Sequence, residues 1–565
     1  MTISRAISWL AAKHPDAVAV RDDTTALTWR QLALRTNRLA RAYAELGVGV
    51  DSLVTVALTN QVAFVESCIA VWKLGATPQP LSYRLPPAER AAVLALARPA
   101  LVIGLPPDPA TPPAEGATPS AEPAAPSGWP VRQAAPPAAS AAPPHLPSDF
   151  APRADLSDAE LPDAAAASWK APTSSGSTGR PKLILAAASA HIDPEGRVAS
   201  FVPAHAVQLV AGPLFHSAPF TYAMRGLMTG HTLVILPRFD ERQWLDAVGR
   251  HGVTWAPLVP TMMNRIWRLP QREKDAADLS SLDSILHIGS ACPPTLKRAW
   301  IDWIGPDRVT EVYAGTESQG ITTISGGEWL EHPGSVGRPG GGSEMQIWGP
   351  DDAPLPVGET GRIMMRRSGG PTYSYRGSVA GPRPDGWDTL GDLGHLDADG
   401  YLYVADRADD LIITGGANVY PAEVEAVLEE HPGIRSAVVF GLPGDDLGEV
   451  VAALVDVGGA PAGAAASAAA RDGGGARRGG AAAGDGSGAR RDGAAVGNGR
   501  DPRREGADAL TEVELLDWLR PRLDPEKRPR RIEFTDEPVR DDAGKARRHL
   551  LRAERGARGA AGLGD

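Results

Sequence analysis

The sequence predicts an α/β protein in two parts: a large N-terminal domain of sheets packed with helices, then a small C-terminal α+β domain. Three observations predict it. Short apolar runs alternate with amphipathic helical stretches through the first half of the chain, the pattern of strands covered by helices. From about residue 358 the character changes to short strands joined by turns. At 565 residues the chain is long enough to bury more than one core.

The elements follow in order. "LTWRQLALRTNRLARAYAEL" (27–46) carries apolar residues at helical spacing, with Thr28 placed to cap it. "SLVTVAL" from 52 is a strand, "VAFVESCIAVWKLG" from 62 a helix ending at Gly75, and "ALVIG" from 100 a strand. "VQLVAGP", "HTLVILP", "VTWAPLVP" and "SILHIGSA" are short apolar runs, each near a helical stretch, as in a parallel or mixed sheet. "VPTMMNRIW" (259–267) places Met and Trp at helical spacing, which by itself reads as core. Later, "GETGRIMMRR", "GYLYVADR" and "DLIITGG" read as strands. "YPAEVEAVLEEHPG" is a helix with Pro421 in its first turn and Gly433 near its end. "IRSAVVFGLP" is a strand, and "TEVELLDWLRPRL" opens on Thr511 and Glu514 at capping-box spacing.

These elements give a domain at 1–405, a boundary within "DRADD" (406–410) and a second domain at 411–565. Residues 105 to about 150, rich in Pro and Ala, and 457 to about 508, rich in Gly, Ala, Arg and Asp, show no helix or strand period. Neither has enough large apolar side chains to offset its ordering entropy, so both are expected to be disordered surface insertions.

Composition narrows the function. Hydrophobic residues make up 43% and charged residues 22%, as in a globular protein. A formal net charge of −11 argues against nucleic acid as a partner. Two cysteines, Cys68 and Cys292, cannot build a disulfide framework or a multi-cysteine zinc site. The N-terminus lacks the apolar stretch of a signal peptide, and no apolar run reaches the length of a membrane span, so a cytoplasmic location is expected.

The richest chemistry lies in "SSGSTGRPK". Gly176 and Gly179 let backbone N–H groups converge on an anion. Ser175, Ser177 and Thr178 add hydroxyls, Lys182 a mobile charge and Arg180 a planar one. The loop suits phosphate oxygens, but it is not a Walker A loop. That motif needs Gly where Pro181 stands and Ser or Thr where Leu183 stands.

The loop resembles the phosphate loop of the adenylate-forming superfamily, which includes acyl-CoA synthetases, adenylation domains and luciferases. The family's other segments occur in its order across most of the chain: "LGATPQPLSYRLPPAE", "GPLFHSAP", "HIGSACP", "VYAGTES", "GETGRI", "LGDLGHLDADGYLY", "DRADDLIITGGANVYPAEVE" and "DDAGKARR". The resemblance implies that a carboxylate attacks the α-phosphorus of ATP, expelling pyrophosphate and leaving an acyl-adenylate. It also implies Mg2+ as cofactor and CoA as co-substrate.

Residue by residue, it implies that Ser175, Gly176, Ser177, Thr178, Gly179 and Lys182 hold the β- and γ-phosphates. Thr316 would contact the α-phosphate, and Glu317 would hold Mg2+. Asp392 would bind the ribose hydroxyls, with Arg407 as a second ribose or phosphate contact. Gly289, Ser290 and Ala291 would pack on adenine, with Tyr313 stacked against it. Asp409 would be the hinge of the small domain, and Gly415-Gly416 would reach the site after rotation. Lys545 would bridge the carboxylate and the α-phosphate; by composition alone it is one cation near a basic terminus. His216 would line the acyl pocket, although a structural histidine is its rival.

Leu183 stands where the family usually has Gly, Ser174 where Thr is commoner, and Ala314-Gly315 varies the residues before Thr316. "GLMTGHTLVI", "WIDWIGPDRV" and "GGEWLEHPGSVGRP" look closest to bile-acid-type and related bacterial carboxylate–CoA ligases. The expected function is therefore an acid–CoA ligase acting on a bulky, aromatic or fatty acid. The alternatives are an ATP-dependent diazotase activating nitrite toward an aromatic amine in natural-product biosynthesis, an adenylation protein loading a carrier thiol, and a noncatalytic nucleotide-binding module.

Overall fold

Apolar runs with no polar face form parallel strands when helices cover both sides of the sheet. That is how the large sheet of this chain is built. The computed structural model describes residues 1–106, 142–174, 181–378, 381–414, 417–444, 448–458, 510–541 and 544–561. Two units emerge, Met1–Asp409 with Asp541–Lys545, and Asp410–Arg540 with Ala546–Asp565.

In the first unit a nine-stranded sheet runs, among the described residues, in the order Arg338–Pro339, Ile321–Ser325, Val309–Ala314, Ser284–Ile288, Trp255–Leu258, Val207–Val210, Thr232–Ile235, Val18–Arg21, Ala26–Thr28. The six inner strands are parallel, with Ser284 opposite Trp255 and Ile288 opposite Val312. Val207–Val210 lies between the two strands that follow it in sequence, so the order reverses there. Loops leaving the carboxyl ends of strands at such a reversal form a crevice where ligands bind.

The helices form where the spacing placed them. Trp29–Glu45 starts at a capping box in which Thr28 and Gln31 exchange side-chain hydrogen bonds with each other's backbone. Val62–Lys73 is buried on nearly every side, as a helix apolar all round must be. In Pro260–Trp267, Met262, Met263 and Ile266 are core residues.

A second sheet of the same unit has the order Thr77–Pro80, Leu53–Val56, Leu101–Ile103, His145–Leu146, all parallel. Here one expectation is corrected. Both ends of the Pro/Ala-rich segment pack into the unit through apolar side chains. Leu105 and Leu146 enter the core, and Phe150 lies 6.5 Å from Tyr43, ring to ring. Residues 107–141, and 459–509 of the second biased segment, lie outside the described residues.

Two antiparallel sheets complete the unit. One orders Ser343–Trp348, Gly361–Arg367, Asp392–Leu396 and Leu402–Arg407. The other joins Thr173–Ser174 and Lys182–Ala186 to Tyr373–Arg376, a partner far along the chain.

The small unit packs the helices Pro421–Glu429 and Glu512–Leu519 on strands Ala417–Val419, Ile412–Thr414, Gly448–Asp456, Ser436–Gly444 and Arg531–Thr535. Thr511 and Glu514 form the capping box their spacing called for. Buried Glu425 is held by Arg540 at 2.6 Å and Arg548 at 2.7 Å, and Arg548 also reaches Asp410 at 2.8 Å. Among the described residues no helix is long and apolar enough to cross a membrane.

Candidate active site

Three segments singled out in the sequence follow the carboxyl ends of the parallel strands. Gly289, Ser290 and Ala291 follow Ser284–Ile288; Thr316 and Glu317 follow Val309–Ala314; His216 follows Val207–Val210 after a short turn. Gly289 has φ +101, which a side chain would strain, and Gly289 and Ala291 are exposed. A flat group can therefore approach this backbone.

Glu317 is 8% exposed, and its carboxylate is organised by neighbours. Tyr375 donates its hydroxyl to Glu317 Oε1 at 2.6 Å, and Lys182 Nζ lies 3.4 Å from the same oxygen. Lys182 also donates to the Tyr375 hydroxyl at 2.7 Å. The Glu317 backbone carbonyl accepts from Thr372 Oγ1 at 2.7 Å. A Cβ at Gly315 would lie 2.3 Å from the end of the Leu390 side chain, which would have to shift. The Thr316 hydroxyl makes no hydrogen bond among the described residues and is free to donate.

A second cluster forms at the antiparallel sheet. Asp392, 8% exposed, begins Asp392–Leu396, and Arg407 ends Leu402–Arg407 directly opposite it. Tyr313 donates to Asp392 Oδ2 at 2.6 Å, and Arg407 Nε lies 3.5 Å from Oδ1. Burial first, and then the Asp392 charge, push the Tyr313 phenol well up, so it remains a donor. Asp409 lies just beyond, in the 3-10 turn Ala408–Asp410 that ends the first unit.

The large unit also takes in the short return Asp541–Lys545. Asp541 closes it by accepting the Lys545 N–H on Oδ1 at 2.9 Å, while its own N–H donates to the Lys545 carbonyl at 3.0 Å. Gly544, at φ +75, passes close to Ser290 and Thr261. Desolvation and the charge of Arg407 draw the Lys545 ammonium below its ordinary range, against the pull of Asp541 and Glu317. Lys545 itself is exposed.

Of the residues expected at the site, Lys182, Tyr313, Glu317, Asp392, Arg407 and Lys545 thus share contacts or fields. His216 is the residue before the helix Ser217–Met228, its ring 4.7 Å from Phe215, and no hydrogen bond or ion pair joins it to Glu317 or Asp392. Ser175, Gly176, Ser177, Thr178 and Gly179, with Gly415 and Gly416, lie outside the described residues.

Sequence reasoning missed Tyr375, Tyr373 and Lys170. Alternate tyrosines in "PTYSYRG" on a strand place two phenols on one face, the signal that was available. Lys170 stands between Trp169 and Ala171, where a lysine in an apolar stretch was the hint.

A loop after a parallel strand carrying one carboxylate beside a lysine, and an antiparallel sheet carrying another beside an arginine, make a candidate site for a phosphate-bearing ligand. The chain belongs to the AMP-binding enzyme family, whose profile matches residues 7–372. It is accordingly a ligase of the adenylate-forming type, cleaving ATP to AMP and pyrophosphate. It is 31% identical to a feruloyl-CoA synthase of Amycolatopsis sp. over 79% of this chain and 86% of that protein. It is 30% identical to an indoleacetate–CoA ligase of Aromatoleum aromaticum over 80% and 88%. Among solved structures it shares its fold with the o-succinylbenzoate CoA synthetase of Bacillus subtilis in complex with an acyl-adenylate (TM-score 0.68, 23% identity, 97% of each chain). It shares the fold as well with an amide bond synthetase of Marinactinospora thermotolerans (TM-score 0.68, 22% identity, 98% and 100%).

Proposed function

We propose that this protein is an ATP-dependent acid–CoA ligase that activates an aromatic or other bulky carboxylic acid through its acyl-adenylate. The observation that carries the reading is the pairing of Glu317 with Lys182 and of Asp392 with Arg407, the second pair joined by Tyr313 to the strand that leads into Glu317. The relatives named for CoA ligation of aromatic acids support the acceptor and the acid class. None of the relatives named here favours nitrite or an aromatic amine.

In this reading Asp392 accepts the ribose hydroxyls, and Arg407 neutralises phosphate beside it. The backbone at Gly289, Ser290 and Ala291 takes the adenine, with Tyr313 stacked against it. Thr316 donates its free hydroxyl to the α-phosphate. Glu317 fits Mg2+, a hard cation held by one or two carboxylates together with substrate phosphates. When bound, the ion supplies charge neutralisation on the phosphate oxygens. Lys182 and the Ser175–Gly179 loop hold the departing pyrophosphate. Lys545 bridges the attacking carboxylate and the α-phosphate, where charge builds in the transition state. A carboxylate oxygen forms the new bond to the α-phosphorus as the bond to pyrophosphate breaks. CoA sulfur then attacks the acyl carbon and AMP leaves, after the small unit turns about Asp409. His216 lines the acyl side.

The test is AMP release from ATP by the purified chain across hydroxycinnamic, indolic, steroidal and fatty acids, with CoA or with nitrite and aromatic amines. AMP together with a new thioester for one acid class is the expected outcome. AMP formed only with nitrite and an amine overturns the acceptor and leaves the ATP-site roles standing.

A further inference from the structure

Glu317 lies on a loop and Lys182 begins a strand far from it in sequence, and something must fix them relative to each other. The ion pair alone does not: at 3.4 Å it is longer than a charge-assisted hydrogen bond. The phenol of Tyr375 does, donating to Glu317 Oε1 at 2.6 Å and accepting from Lys182 Nζ at 2.7 Å. The Lys182 ammonium also lies 3.9 Å from the centre of the Tyr375 ring.

Tyr375 is itself held on several sides. Its strand pairs with Lys182–Ala186, placing Tyr375 opposite Ile184. Thr372, just before that strand, bonds to the Glu317 carbonyl at 2.7 Å and accepts the Ala187 N–H at 2.8 Å. Tyr373 packs on Tyr375 with ring centres 4.7 Å apart and anchors its own hydroxyl on Asp388 at 2.5 Å. One strand therefore grips the acid loop and the lysine strand together. Both contacts fall on Oε1, and Glu317 Oε2 has no hydrogen bond among the described residues.

We propose that Tyr375 is a positioning residue that sets Glu317 and Lys182 as one unit for the metal–triphosphate end of the nucleotide, leaving Oε2 of Glu317 open to the cation. The proposal rests on the reading of Glu317 as the metal-holding carboxylate. AMP lacks the triphosphate end, so its binding does not depend on this grip.

The experiment is calorimetric titration of the full chain with α,β-methylene-ATP over a range of Mg2+ concentrations, and with AMP in the absence of metal. Tyr375→Phe keeps the ring and removes the hydroxyl. It is expected to weaken Mg2+-dependent binding of the ATP analogue about tenfold, the size of losing a hydrogen bond to a charged group, while AMP affinity is unchanged. In a Glu317→Gln background the same change is expected to add little further loss, because the two residues act together. Unchanged analogue binding by Tyr375→Phe, or equal loss for AMP, overturns the proposal. A Glu317→Gln variant with wild-type metal dependence overturns the reading of Glu317 itself; a defective Glu317→Gln beside a normal Tyr375→Phe overturns only the role of Tyr375.

Discussion

Lys170 shows what one residue can hide. It is 5% exposed, donates to Ser217 at 2.9 Å and Thr221 at 2.8 Å, and has no carboxylate at ion-pair distance among the described residues. Desolvation, then the nearby Arg225 charge, draw its ammonium down to about 7, against the pull of Glu317. The folded chain thus releases this proton near pH 7, while the unfolded chain keeps it to about 10.5. Between those values the unfolded state binds more protons, so stability rises with pH, by up to about 1.4 kcal/mol per unit. Lys170→Met should remove that slope. Urea midpoints of variant and wild type at pH 7, 8 and 9 should converge as pH rises; a constant gap would rule the effect out. Its place between Trp169 and Ala171 was only a hint in the sequence, because the groups that hold its ammonium, Ser217 and Thr221, lie on the helix Ser217–Met228, far along the chain.

At the scale of elements, local pattern was read well where a strand or helix owes its form to its own residues. The capping boxes at Thr28 and Thr511 and the apolar strands of the parallel sheet are of that kind. Pairings were not legible. Nothing in "PTYSYRG" says that it joins the strand after the phosphate loop, because such pairing is set by packing across the chain. Gly337 marks another long-range demand: at φ +96, a Cβ there would lie 2.0 Å from the Thr323 carbonyl oxygen. Gly337→Ala should cost roughly 2–4 kcal/mol, combining backbone strain and a clash with a neighbouring strand. Denaturant unfolding of the full chain checks this; a loss below about 0.5 kcal/mol, ordinary for a surface change, would contradict the packing argument.

For the whole molecule, the two units and the turn between them carry the prediction. Lys545 belongs with the large unit in this structure, although its neighbours in sequence fold with the small one. If it serves adenylation alone, Lys545→Ala should slow adenylate formation by at least about a hundredfold, the low end of what one transition-state donor supplies. Thioester formation from preformed adenylate should be spared. Asp409→Pro, which fixes the backbone at the turn, should give the reverse: adenylation retained and thioester formation lost. Separate measurement of pyrophosphate exchange and of CoA consumption with synthetic adenylate reads both. Equal loss of the two steps in both variants would remove the division of labour.

The sequence by itself determined the family and the order of its segments, and it named Glu317, Asp392, Arg407 and Lys545 as candidates through the motifs that contain them. It also determined most elements, since helix and strand periods and caps are local. Only the tertiary structure decided which groups touch. It set Tyr375 between Glu317 and Lys182, gave Asp392 the Tyr313 hydroxyl, buried Lys170 without a counter-ion among the described residues, and packed the ends of the Pro/Ala-rich segment into the core. Hydrogen-bond partners and desolvation depend on atoms that other parts of the chain bring, and no stretch of sequence holds those atoms alone.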